Sequence, residues 1–154
     1  GTEDEATVQK RLAQAREDGI RRSQRLLLTW LIEDESLFGK IEGILTPDDF
    51  TEELYRQVAQ EVFEGHRSGT INPADILSRY INDEDQYKEV AALFNASLGD
   101  ALDSAEQKKA FSDTVLKVKK YSLDAASRNA KDIAQLQEII KQQAALKTLR
   151  IPMD

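Results

Sequence analysis

The chain has 154 residues with a net charge of −7, 40% apolar residues and no cysteine. That length can bury a real core in one domain or one domain with an appendage, while the missing cysteines exclude disulfides and thiolate metal sites. No apolar run approaches the roughly 20 residues a membrane span needs and nothing reads as a signal peptide, so a soluble, cytosolic protein is expected.

The charge is uneven. Before residue 100 the chain holds 11 basic and 20 acidic residues, a net −9; from there on it holds 10 and 8, a net +2. Such a chain is a poor candidate for binding a phosphate backbone directly, although its weakly basic end suits an acidic protein surface.

In chain order, residues 1–22 are polar, with Val8, Leu12 and Ile20 the only sizeable apolar side chains. They read as a linker or a frayed helix at a domain edge, and Gly1 as a cloning remnant. From Ser23 to about Glu33 the sequence is apolar on nearly every side, through Leu26, Leu27, Leu28, Trp30, Leu31 and Ile32, which predicts the central helix of a bundle with Trp30 in its core. A helix over Ser36 to Ile44 comes next. Thr46-Pro47-Asp48-Asp49 has the form of a helix start, and Phe50, Leu54, Val58 and Val62 then fall on one line. Gly65 and Gly69 bracket a turn around His66.

Asn72-Pro73 repeats the cap-and-proline device before a short helix through Ile76, Leu77 and Tyr80. Asn82 to Asp85 precedes a helix with Tyr87, Val90, Ala91, Phe94 and Leu98, and Gly99 to Asp103 is a polar break. Ser104-Ala105-Glu106-Gln107 has capping-box form and opens a long helix; Ser127 to Ala130 is a candidate turn, with Asp132 as a cap on the last helix and a continuous helix as the alternative. No stretch alternates with period two long enough to be a strand, so the expected fold is all-α: a helical bundle over 23–103 followed by a C-terminal helical hairpin over 104–154.

The hairpin carries the functional reading. At about 100° per residue, Ile133, Leu136, Ile140 and Ala144 share one side of the last helix and Ile139, Leu146 and Leu149 lie roughly opposite. Phe111, Val115, Val118 and Ser122 follow a 4-3-4 spacing on the preceding helix and are expected to cover the first side. The second side is then left for the rest of the chain or for a partner protein. Its residues are Ile139, Leu146 and Leu149, with Gln142, Gln143 and Lys147 as polar neighbours and Ile151-Pro152-Met153 as an extension or a free tail. With one buried seam, the hairpin is expected to move relative to the bundle and to order on docking.

Patterns for chemistry are few. His66 is the only histidine, beside a turn, which predicts a solvated residue and no metal site. Glu64-Gly65-His66 has the wrong spacing for a di-metal carboxylate bundle. Phosphate-binding glycine loops are absent, so no nucleotide cofactor is expected. The acids of Asp48-Asp49, Glu52-Glu53 and Asp83-Glu84-Asp85 sit in first turns and breaks, as solvated caps do. Asn95-Ala96-Ser97 matches a glycosylation sequon without a secretory context.

Arg25 to Ile32, the stretch Ile44-Leu45-Thr46-Pro47-Asp48-Asp49-Phe50 and Val62-Phe63-Glu64-Gly65 together resemble the C-terminal domain of bacterial DnaG-type primases. The end of the chain agrees: Val118 to Asp124, Asp132 to Lys141 and Ala145-Leu146-Lys147 look like primases of Gram-positive anaerobes. The resemblance runs from about Gln24 to Ile151. It implies a bundle plus hairpin through which primase docks on the N-terminal collar of the DnaB-type replicative helicase, the bundle helping to stimulate the helicase. Primer synthesis and template recognition belong to other domains of that family, so this segment is expected to be non-catalytic. The alternative is the helicase's own collar, an oligomerisation domain of related fold; an ATPase domain should then follow the hairpin, and the sequence ends soon after Leu149. A free-standing enzyme or metal protein is a further class, without a ligand set here. Exposed apolar residues on a hinged hairpin are also compatible with its exchange between two copies as a homodimer.

Overall fold

A computed structural model describes residues 4–96, 98 and 104–154. The described chain is 76% helical, with seven helices and no strand. The predicted polar break over Gly99–Asp103 lies outside the described residues, as do Gly1 and Ser97 of the sequon.

Helix α1 spans Glu5–Glu33, 29 residues, and absorbs the segment expected to be a linker or a frayed helix. Asp4 caps it by accepting from the Thr7 amide at 2.7 Å. Its second half is core: Leu27, Leu28 and Leu31 are sealed from solvent, and Trp30 meets Phe111 edge-on with ring centroids 5.6 Å apart. Its first half is mostly exposed but is not free. Arg16 reaches Asp124 at 3.7 Å, and a Cβ built on Gly19 would lie 3.9 Å from the Tyr121 hydroxyl. Residues 30, 19 and 16 thus pair with 111, 121 and 124, the descending order of two antiparallel helices. Continuous helix is favoured because the segment contains no proline and its one glycine is tolerated inside a long helix.

Asp34 ends α1 and caps the next turn, accepting from the Ser36 amide and hydroxyl at 3.1 and 2.6 Å. The predicted helix over Ser36–Ile44 is shorter: a 3₁₀ turn over Glu35–Leu37, then α2 over Phe38–Ile41, stopped before Gly43 with φ of +78°. Thr46-Pro47-Asp48-Asp49 also gives a single 3₁₀ turn, and the main helix, α3, starts at Glu53 and runs to Arg67. The break between them is filled by Phe50, which is fully buried off the helix rather than on it. Two polar side chains hold the break. Gln24, sealed in α1, donates to the Thr51 hydroxyl at 2.7 Å and accepts from the Glu52 amide at 3.1 Å. Asp49, expected as a solvated cap, is 8% exposed. It accepts from the Thr46 amide at 2.9 Å, the Lys119 ammonium at 3.1 Å and the Ser122 hydroxyl at 2.7 Å.

α4 (Pro73–Ser78) and α5 (Glu84–Asn95) start where the sequence predicts, capped by Asn72 and Asp83, but end earlier than expected: Tyr80 lies in the turn after α4 and Leu98 beyond α5. Then α6 (Ala105–Arg128) and α7 (Ile133–Leu146) form the hairpin, turning where expected, with Asp132 accepting from the Gln135 amide at 2.7 Å. Yet α6 belongs to both units. Phe111, Val115 and Val118 join the main core with Leu27, Leu31, Val58, Val62, Val90 and Leu93. The stripe expected to cover α7 is therefore spent on α1, and Ser122 at its end bonds Asp49. The boundary between bundle and hairpin falls within α6 rather than before it.

Candidate partner-docking surface

α7 is a short helix of 14 residues in which only Glu138 and Lys141 are charged. Its inward line is Leu136, Ile139, Gln143 and Leu146, a 3-4-3 spacing that fits a partner helix. Ile139 is 8% exposed and lies in the seam with α6, the element α7 chiefly packs against. The assignment of Ile139 to an outward face is corrected: a seam made by the 3-4-3 line needs Ile139 at its centre. Leu136 and Leu146 are half-buried beside it. The polar position on this line, Gln143, is satisfied by donating to Asp124 of α6 at 3.1 Å. Asp124 also accepts from Lys120 at 3.1 Å and faces Arg16, so one carboxylate ties α1, α6 and α7 together.

The opposite line is the exposed one. Ile133 is 74% and Ile140 52% exposed, with Gln137 and Ala144 completing the i, i+4, i+7, i+11 row. The sequence pattern has these residues covered by the preceding helix. They are not, because that helix turns its larger apolar stripe to α1.

The remaining partner-facing residues from the sequence converge on the last turn of α7. Gln143, Leu146 and Lys147 line one groove of about 570 Å³ with Leu116, Lys117, Lys120, Asp113 and Asp124 of α6. On the other side Gln142, Leu146 and Leu149 line a groove of about 380 Å³ with Lys119 and Leu123 of α6 and Gly43-Ile44 of the bundle. Four of the six residues thus surround a fifth, Leu146, and Ile139 stands apart in the seam. Sequence reasoning missed Asp124 and the exposure of Ile133 and Ile140. The signal available was the 3-4-3 line through Gln143, hidden by its one polar member.

The tail beyond α7 is neither free nor part of an outward patch. Ile151 is 7% exposed and belongs to the main core, Met153 packs against that core, and Asp154 meets Lys108 at 3.3 Å.

Elsewhere, His66 is placed in the last turn of α3, stacked on Phe38 with centroids 4.1 Å apart and its Nδ1 3.2 Å from Glu35. Between α3 and α4, burial pushes the Glu61 carboxyl up, opposed by Arg79 at 3.2 Å. Burial, and then the charge of Glu61, lift the Tyr80 phenol to about 12. The Tyr55 phenol is raised by burial and by its hydrogen bond to Glu89. Among the described residues no group of three or more His, Cys, Asp or Glu is placed to hold a metal ion, and no helix is long and apolar enough to cross a membrane.

Compared with protein-family models, with curated proteins and with solved structures, the chain matches none.

Proposed function

We propose that this chain is a non-catalytic docking module, which attaches a DnaG-type primase to the N-terminal collar of a DnaB-type replicative helicase through α7. The reading rests on the sequence resemblance and on one structural observation. α7 leaves Ile133 and Ile140 uncovered on a helix with only two charged residues, whereas a helix that simply faced water would carry charge on that side. The collar lies across the Ile133-Gln137-Ile140-Ala144 row, and Leu146 with Gln142, Gln143, Lys147 and Leu149 forms the edge of the contact. Docking on a ring lets several copies attach, and it holds the tethered polymerase near template leaving the helicase, raising its effective concentration there.

The test is calorimetric titration of this chain into the replicative helicase of the same genome, with the helicase ATPase rate measured with and without saturating chain. Binding with a faster ATPase establishes a docking module whose bundle acts on the motor. Binding with no change in rate leaves a tether alone. Absence of binding by a folded chain removes the primase reading and favours the helicase-collar alternative.

A further inference from the structure

α7 is too thinly packed to hold itself in place. A helix of 14 residues is marginal in isolation, and of its side chains only Ile139 is buried. The residues C-terminal to α7 are better anchored than the helix itself. After Leu146 the chain makes three tight turns, with the Lys147, Thr148 and Leu149 amides donating to Ala144, Ala145 and Leu146. Leu149 is half-buried in the groove beside Ile44 and Leu123, Ile151 enters the main core, Pro152 ends any helical continuation, and Met153 packs on the core. Asp154 then reaches Lys108 in the first turn of α6, while Lys147 lies by Lys117 and Lys120. From residue 120 back to 108 along α6 is about 18 Å at 1.5 Å per residue. Residues 147–149 are taken up by the tight turns, and the chain from Leu149 to Asp154 runs back alongside α6 towards its first turn.

We propose that residues 149–154 are a strap that clamps α7 onto α6, with Ile151 as the pin. The strap sets whether the outer face of α7 is preformed. With Ile151 seated, α7 is held between two fixed points, the Asp132-capped turn and the bundle core, and presents Ile133 and Ile140 as one rigid row. With Ile151 out of the core, α7 keeps only the Ile139 seam and the Gln143–Asp124 hydrogen bond, and opens locally while the bundle stays folded. Regulation of docking by this strap rests on the function proposed above; the clamp itself does not, because it is a property of the isolated chain.

Amide hydrogen exchange on the full chain tests it, comparing the natural sequence with Ile151→Ala and with a chain ending at Arg150. In both variants the amides of 137–146 are expected to exchange on the order of tenfold faster, while those of 27–31, 58–62 and 115–118 keep their protection. The proposal is overturned if α7 exchanges as before. It is equally overturned if the core amides lose protection to the same degree, since Ile151 is then an ordinary core residue. Titration of the same variants into the helicase separates the two readings. A natural chain that fails to bind removes the docking function and leaves the exchange result standing, whereas a natural chain that binds as tightly as a variant with loosened α7 removes the coupling between strap and docking.

Discussion

The bundle and α7 draw on the same residue types and bury them at very different densities. From Leu27 to Leu31 five consecutive side chains of α1 are buried, and α3 seals Tyr55, Val58, Ala59 and Val62 along one line. α7 has four sizeable apolar side chains in its first eight residues and buries one. The difference lies less in composition than in what each helix finds to pack against. α1 is enclosed by α3, α5 and α6, whereas α7 packs chiefly on α6, and the grooves between them are lined from α6 by Leu116 and Leu123 among Lys117, Lys119, Lys120 and Asp124. Stability therefore resides in the bundle. α7 keeps apolar surface that the fold does not use.

The sharpest break of this contrast is Leu28→Asp. The side chain is fully buried, so the variant places an unpaired charge in the core. A loss of about 4 kcal/mol or more is expected, enough to remove the cooperative thermal transition followed by circular dichroism. Retention of a transition within a few degrees of the natural chain would mean that the α1 core is far softer than its burial indicates.

Asp49→Ala comes next. It strands the Lys119 ammonium, the Ser122 hydroxyl and the Thr46 amide at the join between the bundle and the middle of α6. Lys119 is 21% exposed and recovers some hydration, so the expected cost is about 2 kcal/mol, below that of breaking a fully buried pair. Urea denaturation should show a lower midpoint with an unchanged slope.

Ile139→Asp separates the two regions. It breaks the seam and should unfold α7 alone, at a local cost of about 2 kcal/mol. Ellipticity should fall by the share that 14 of 154 residues carry, while the main thermal transition persists. Unchanged helicity would return Ile139 to the outward face that the sequence suggests.

Alkaline pH acts on the bundle and leaves α7 aside, since α7 has no tyrosine. Folding raises the phenols of Tyr55 and Tyr80 above their ordinary value near 10, Tyr80 to about 12. The Tyr80 contribution to stability is intact below pH 10 and is lost as pH rises through about 12, because the unfolded chain gives up its proton first, and the raised Tyr55 phenol acts in the same direction. A stability curve between pH 9 and 12 should fall, and should fall less in Tyr80→Phe.

The bundle is legible in the sequence because its signals are local and redundant. Asn72-Pro73, Asp83, Ser104 and Asp132 cap the helices whose starts they mark, and the α1 run allows no surface placement. Three features depend on tertiary competition and are not legible. The stripe through Phe111, Val115 and Val118 suits α1 and α7 equally as a pattern, and only the larger apolar area of α1 decides between them. Gln24 and Asp49 read as ordinary polar residues until the break at Phe50–Glu52 supplies their partners. Gln143 interrupts the seam line in sequence and is satisfied by Asp124, 19 residues away, in the fold. The same competition places Ile139 inward and leaves Ile133 and Ile140 outside.

The smallest effect on the fold should accompany the clearest effect on docking. Ile140 is half exposed and Ile133 more so, so Ile140→Asp and Ile133→Asp remove little that folding buries. Each should change stability by less than about 0.5 kcal/mol, as surface substitutions do. If this row meets the helicase collar, a carboxylate placed there must be desolvated on binding, and an affinity loss of about tenfold to a hundredfold is expected from an interface anchor. Gln137→Ala lies between the two isoleucines and changes neither charge nor apolar contact strongly, so it should stay within about threefold of the natural affinity. Equal losses in all three would indicate a shift in α7 as a whole, and unchanged binding in both aspartate variants would place the contact on the Leu146 edge instead.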